Sequence, residues 1–394
     1  MSGFRQRYVV LLAALCALVV IAAVGEAVRS NDGPAGVTTG TTGTTAPSGD
    51  VPAGVSPLTV AAAGDTMMGS PPYGVPPDDG AGVFAGVPRG ALRADVSLVN
   101  LEGTLSEGAG SKCGEDSESC FAFQTPPAFA PRLKEAGFTV ANLANNHSND
   151  FGPDGRDQTV AALTGAGLQV TGLAGTTTLI RVKDHTVAVL GFAPYEWADP
   201  LLDTAAAAER VRQADARADL VIVTFHGGAE GADAATTPQG SEEYLGEPRG
   251  DARAFTHAVV DAGADLVIGH GPHVLRGMEV YRDRLIAHSL GNFVGYGGAF
   301  SLSGPLSQSM VLRATLAGDG RFLRGRIIPI ELSDEGLPFA GGAAIDTVRR
   351  LSEQDFPSGT PAISADGVVR PAPAPPPSST STEAAGTPQD GVSG

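Results

Sequence analysis

A chain of 394 residues, 42% of them hydrophobic, is long enough to bury a core in one large domain or two small ones. Its 26 Lys and Arg against 43 Asp and Glu give a formal charge of −17. With no basic aromatic stripe to offset that charge, nucleic-acid binding is excluded, because phosphate attraction needs clustered cations.

The N-terminus carries Arg5 and Arg7 ahead of an unbroken apolar run over residues 8–24. Two readings of residues 1–29 fit, a cleaved secretory signal and an uncleaved signal anchor, since about 17 apolar residues is the lower limit for a span. Both export the remainder of the chain, and the arginines hold the N-terminus inside. The destination is the outer face of the cell membrane for the anchor, or secretion for the cleaved signal. Residues 30–57 are rich in Gly, Thr, Ser and Pro and read as a flexible tether. The folded part is expected over residues 58–354, with a disordered Pro/Ser/Thr-rich tail over 355–394.

Short β-type runs then end one after another in metal-capable residues. Residues 58–61 lead to Gly64-Asp65, 96–100 to Glu102, and 138–143 to Asn145-Asn146-His147. Residues 220–225 lead to His226, and 266–268 to His270-Gly-Pro-His273. Between them, residues 127–136 and 153–165 have the Pro-start, Gly-end pattern of helices. Residues 167–172 and 186–192 read as strands, and 205–218 and 251–262 as helices. This alternation predicts an α/β fold, whose sites lie beyond the carboxyl ends of the strands. Later, residues 277–281 with 285–288, and 310–317 with 322–330, read as two hairpins, the second turning at Gly318-Asp-Gly320. They predict a second, partly antiparallel sheet packed on the first, with a final helix over 343–353.

Outside the cytoplasm, Cys113 and Cys120 favour a disulfide; the alternative is a metal thiolate pair, for which a six-residue spacer is long. His185 and His257, in a turn and a helix without evident partners, read as surface residues. Asp65 also reads as a helix N-cap for residues 66–69, and Asn146 as a turn residue, although Asn145 suits that turn better. His288 either touches the site or packs within its hairpin, and Glu230 is either a carboxylate behind the ligands or a solvated loop charge. Tyr195-Glu196-Trp197 lies beyond a strand end, where it lines a pocket or simply packs.

Asp65, Glu102, Asn146, His226, His270 and His273 supply oxygen and imidazole donors and no thiolate. That mixture suits one or two divalent ions of Mn, Zn or Fe. A carboxylate such as Glu102 can bridge two of them. His147 follows a ligand directly and is placed to donate a proton to a leaving group, with Asp150 three residues on to orient it.

Six ordered motifs together resemble one family. They are Gly64-Asp-Thr-Met-Met-Gly69, Asn100-Leu-Glu102, Ala144-Asn-Asn-His-Ser-Asn-Asp-Phe-Gly152, His226-Gly-Gly-Ala-Glu230, Gly269-His-Gly-Pro-His273 and Ser289-Leu-Gly-Asn-Phe293. The family is CapA, the bacterial poly-γ-glutamate capsule biosynthesis proteins, related to the calcineurin-like metallophosphoesterases. The resemblance implies an α/β metallophosphoesterase-like β-sandwich of two mixed sheets flanked by helices. It implies metal ligands at the six positions above and catalysis at His147; Asn292, within the last motif, is expected behind the ligands. The wider superfamily carries Asp-x-His at its first motif, where this chain has Met67, a thioether that binds hard ions poorly.

Two functions are expected from these residues. One is a tethered metal-dependent hydrolase or transferase, acting on an amide, ester or phosphoester bond of poly-γ-glutamate or another anionic envelope polymer. The other is a non-catalytic component that binds polymer or membrane synthase subunits within an assembly and export complex. A body this acidic repels a polyanion, and Arg276, Arg282 and Arg284 are the local cations expected to offset that.

Overall fold

A computed structural model describes residues 56–371 apart from 72, 109, 114–119 and 299–301. The expected signal or anchor, nearly all of the tether and residues 372–394 of the expected tail lie outside the described residues. Among the described residues no helix is long and apolar enough to cross a membrane.

Three parallel strands begin the first sheet: β1 (Leu58–Met67), β2 (Val96–Leu101) and β3 (Val140–Asn142). The second sheet is built on β4 (His185–Ala193), β5 (Leu220–His226) and β6 (Leu266–His270), again parallel. The hairpin of β7 (Met278–Tyr281) and β8 (Arg284–Ala287) extends that second sheet, β8 running parallel to β6. Next, β9 (Asn292–Gly295) returns to the first sheet and pairs with the end of β1. The hairpin of β10 (Gln308–Leu316) and β11 (Phe322–Leu332) lies antiparallel on the start of β1. The two hairpins therefore do not form one late sheet, as expected from sequence, but divide between both. The reason is hydrogen-bonding edges: β6 and the first half of β1 each expose one, and each hairpin fills one.

Alternation along the strands makes the layers. Val60, Leu98, Val140, Val189, Ile222 and Leu266 meet between the sheets. The opposite faces are covered by helices. α1 (Ala130–Ala136) and α2 (Gly152–Gly165) place Leu133 and Leu163 on the first sheet. α3 (Thr204–Asp215) and α4 (Ala252–Asp261) place Val211, Phe255 and Val259 on the second. Each such side chain contributes about 1.5–3 kcal/mol on burial. Asp203 and Asp251 cap α3 and α4, accepting from Ala205 and Ala206 N–H and from Ala254 N–H. Two mixed sheets flanked by helices are thus the architecture the sequence predicts.

Three expectations are corrected. Residues 355–370 are built in: the last helix, α5 (Ala344–Asp355), is followed by strand Ala362–Ile363 and by β12 (Val368–Arg370), which pairs with β11. His185 is buried, with Nε2 2.7 Å from the Ser56 carbonyl. His257 has a partner, its Nε2 lying 3.0 Å from Glu279 Oε1. The strand Thr178–Val182, antiparallel to β4, was not anticipated; it lies at the sheet edge and none of its residues is fully buried.

Candidate metal centre

Strand parity carries most of the donors to one place. In β2, Val96 and Leu98 face between the sheets, and the same parity brings Asn100 and Glu102 to that side. In β5, Leu220 and Ile222 lead to His226, and in β6, Leu266 and Ile268 lead to His270. β1 breaks the rule. Val60 and Ala62 face the inner core, so regular alternation would turn Asp65 outward. The register slips between Ala63 and Asp65, where β1 exchanges β10 for β9 as its neighbour. Gly64 permits this, because a Cβ there would collide with the Gly291 carbonyl. Asp65 N–H donates to that same carbonyl at 2.9 Å. Asp65 therefore sits within a strand and heads no helix.

The donors converge. Asp65 Oδ1 accepts from Asn100 Nδ2 at 2.8 Å and lies 3.3 Å from His270 Nδ1, without the alignment of a hydrogen bond. Oδ2 accepts from Gly271 N–H at 3.2 Å and stands 3.2 Å from His273 Nδ1. Glu102 Oε1 is 3.7 Å from both His226 Nε2 and His273 Nε2, too far for hydrogen bonds. One ligand atom each from Asp65, Glu102 and His273 lies within 4.8 Å of the others. His273 adopts φ +61°, a left-handed conformation unusual outside glycine, and Asn292 Oδ1 takes its Nδ1–H at 3.0 Å. That bond leaves Nε2 as the ring's donor atom.

Both Glu102 oxygens, His226 Nε2, both His270 ring nitrogens and Asn146 Oδ1 are buried and have no hydrogen-bond partner among the described residues. Each such atom costs about 1–3 kcal/mol unless something satisfies it. A divalent cation takes up donors of this kind, one nitrogen from each imidazole, and the oxygen and imidazole chemistry fits one.

The electrostatics agree. Burial holds Glu102 well above the ordinary carboxylate range, His273 opposes, and the charges of Asp65 and Glu230 add to the rise. Burial raises Asp65 too, but the imidazoles of His270 and His273 outweigh it and hold that carboxyl well below its usual value. Burial depresses His226 strongly. Burial also acts to lower His273, yet Glu102, Glu230 and Asp65 win and raise it. Carboxylates crowded out of water in this way are what a bound dication relieves.

His147 stands at the edge of this cluster. Its Nδ1 is 2.8 Å from Asp150 Oδ2, and its ring packs on Phe123 with centroids 4.4 Å apart. Burial lowers its pKa, with Asp150 opposing. Asn145 closes the preceding turn, its Oδ1 accepting from His147 N–H at 3.0 Å. A cavity of about 620 Å³ opens above, lined by Asn146, His147, Trp197, Glu230, Arg249 and His273 among others. Tyr195 and Trp197 stack there, 5.0 Å apart and 7° from parallel. Cys120, at the cavity edge, is disulfide-bonded to Cys113. Glu230 is tied in: its Oε1 is 2.7 Å from Arg249 Nη1 and its Oε2 3.5 Å from His273 Nε2.

Some residues went unassigned in the sequence. Asn100 is a hub. Its Nδ2 donates to Asp65 and stands 3.2 Å from His226 Nδ1, while its Oδ1 accepts from Asn142 and Asn145. Its inward parity, two before Glu102, was the available signal. The expected arginines are elsewhere: Arg276 is paired with Glu242, Arg282 with Asp261 and Arg284 with Asp265. Arg249 is the guanidinium at the site. His288 packs rather than joining the centre, stacked on Phe356 with Nε2 3.2 Å from Glu279.

Residues 59–296 match the family described as bacterial capsule synthesis protein PGA_cap. The chain belongs to this family. It is 36% identical over 184 residues to the capsule biosynthesis protein CapA of Bacillus anthracis, covering 41% of each chain. It is 30% identical over 259 residues to the PGA biosynthesis protein CapA of Bacillus subtilis, covering 60% of this chain and 63% of that one. A probable polyglutamine synthesis accessory protein of Mycobacterium tuberculosis is 30% identical over 291 residues, 66% of this chain and 72% of that one. The matches thus span less than two thirds of the two Bacillus relatives. Among solved structures, this family member is similar to a 5′-nucleotidase precursor from Thermus thermophilus, at 14% identity and a TM-score of 0.37, over 76% of this chain and 59% of that one.

Proposed function

We propose that the protein is a metal-dependent hydrolase or transferase that acts outside the cytoplasm in the synthesis of poly-γ-glutamate or a related anionic envelope polymer. The observation that carries this reading is the set of buried, partnerless donors on Glu102, Asn146, His226 and His270 beneath a cavity that also holds His147. Family membership supports the polymer; the Cys113–Cys120 disulfide and the apolar run behind Arg5 and Arg7 support export and a membrane tether.

Asp65, Glu102, Asn146, His226, His270 and His273 would hold a divalent cation, Mn, Zn or Fe. When bound, it supplies positive charge to stabilise the oxyanion of an acyl or phosphoryl transition state and to acidify a water. The chain does the rest. Asn100 and Asn292 fix the Asp65 carboxylate and the His273 ring. Asp150 fixes the His147 tautomer by accepting at Nδ1, so that Nε2 is the atom that takes and returns a proton at the leaving group. Turnover with added Mn or Zn, compared between wild type, His270→Ala and His147→Ala, tests this; equal rates in all three sink it.

A second reading, a non-catalytic component that binds polymer or membrane synthase subunits, is favoured by one observation. Met67 lines the cavity where the wider superfamily places a histidine ligand. Capsule yield that survives in the ligand variants, with partners still captured from membranes, would select it.

A further inference from the structure

Among the described residues two arginines have almost fully buried side chains, and they differ. Arg276 is satisfied at every nitrogen: Nε donates to the Ala234 carbonyl at 2.8 Å, and Nη1 and Nη2 to the Glu242 carboxylate at 2.9 and 2.6 Å. Arg249, on the short strand Glu247–Gly250, is 1% exposed and engaged on one side only. Its Nη1 lies 2.7 Å from Glu230 Oε1 and 3.3 Å from the Tyr195 hydroxyl. Its Nε and Nη2 are buried with no hydrogen-bond partner among the described residues.

Nε–H and Nη2–H form one edge of a guanidinium, two parallel donors spaced for two oxygens of a carboxylate or phosphate. A buried cation with that edge unmade is costly, and folding alone does not explain it when Arg276 shows the same chain satisfying such a group fully. Arg249 lines the same cavity as Asn146, His147 and His273. Nη1 donates to the Tyr195 hydroxyl and is ion-paired with Glu230, which holds that side of the fork. The stacked Tyr195 and Trp197 form a flat wall of the same cavity.

We propose that Arg249, through Nε and Nη2, binds an anionic two-oxygen group of the ligand that enters this cavity, a carboxylate or a phosphate. This deepens the proposed function and rests on it for what the ligand undergoes: the substrate carries a negative charge close to the bond that reacts. It also resolves how an acidic protein holds an anion, since recognition falls to one desolvated guanidinium and the bound cation rather than to the surface.

Trp197 is the only tryptophan of the chain, so tryptophan emission, excited selectively beyond the tyrosine absorption, reports on this cavity. The full chain, with its metal content measured, is titrated with a γ-linked glutamate trimer and separately with inorganic phosphate, before and after chelation. Saturable quenching or enhancement is expected in one arm or both, and the arm that saturates identifies the oxyanion. Arg249→Gln weakens that binding by about 10- to 100-fold, and Arg249→Lys, which keeps the charge and loses the fork, by about tenfold. Circular dichroism verifies folding, and if the Gln variant fails to fold, the Lys variant decides. Wild-type affinity in a folded variant, or no saturable response to either anion, overturns the inference. Arg249-dependent binding in a protein that takes up no metal would overturn the proposed function and leave this inference standing. Metal uptake without Arg249-dependent binding would do the reverse.

Discussion

His147 Nδ1 and Asp150 Oδ2 stand 2.8 Å apart, and the same carboxylate also accepts the Phe123 N–H at 2.7 Å and pairs with Lys112 Nζ at 2.7 Å. Asp150 is thus the post that locks both the His147 ring and the segment beside the cavity. Asp150→Asn keeps the size and offers an amide that can present N–H to the ring. Turnover is expected to fall by about 10²- to 10³-fold at unchanged metal content. Steady-state rates with elemental analysis of the same samples check it; loss of metal in parallel would mean that Asp150 acts on the centre and not on His147.

Glu102 lends itself to a prediction that reverses sign. Its carboxylate is buried with both oxygens unpartnered and Asp65 and Glu230 nearby. Because its folded pKa is raised, ionising it costs stability above its ordinary range unless a cation is bound. After chelation at pH 7, Glu102→Gln is expected to melt higher than wild type. With saturating Mn or Zn the order inverts, since ligand at 100 to 1,000 times its Kd stabilises wild type by about 3–4 kcal/mol. Thermal melts of both proteins with and without metal decide it.

Much of this was open to reading in the sequence, and the rest was not, for identifiable reasons. Runs ending in His226 and His270 were legible because strand parity and apolar content agree in β5 and β6. The placement of Asp65 was legible as a motif only; the slip at Gly64 that turns it inward depends on Gly291, more than 200 residues away. Arg249 was missed because nothing local marks it. Its role appears only once Glu230 and Tyr195 close around one side of it. Arg276 was misjudged because sequence proximity to His273 says nothing of Glu242, which claims it. The fate of residues 355–370 was hidden because two- and three-residue strands carry too little pattern to stand out among Pro and Gly.

A Cβ at residue 64 has no room, its nearest neighbour being the rigid Gly291 carbonyl. Gly64→Ala should therefore push β1 from β9 and tilt Asp65 off the centre. Overpacking of this kind costs about 1–3 kcal/mol. Denaturant melts should show that loss, and metal affinity should drop with it; a variant with native stability and affinity would mean that the strand exchange tolerates displacement.

Far from the site, Glu279 takes contacts from His257 Nε2 at 3.0 Å and His288 Nε2 at 3.2 Å. Burial alone would raise its carboxyl, but the two imidazoles prevail and hold it down at about 2. A depressed carboxylate contributes stability that is complete above its unfolded pKa, about 4.3, and lost as pH falls through its folded value. Glu279→Gln should cost about 1–3 kcal/mol at pH 6, with the gap to wild type shrinking as pH drops from about 4.3 toward 2. Denaturation curves across that interval test it.

The cation donors at Glu102, His226 and His270 are fixed by strands or strand ends buried between the sheets, whereas Tyr195, Glu230 and Leu245 reach the cavity from connecting segments. The cation donors and the cavity rim are therefore mechanically decoupled. Exchanging the segment between His226 and Arg249 for that of another family member is therefore expected to change what the cavity accepts while leaving the cation donors in place.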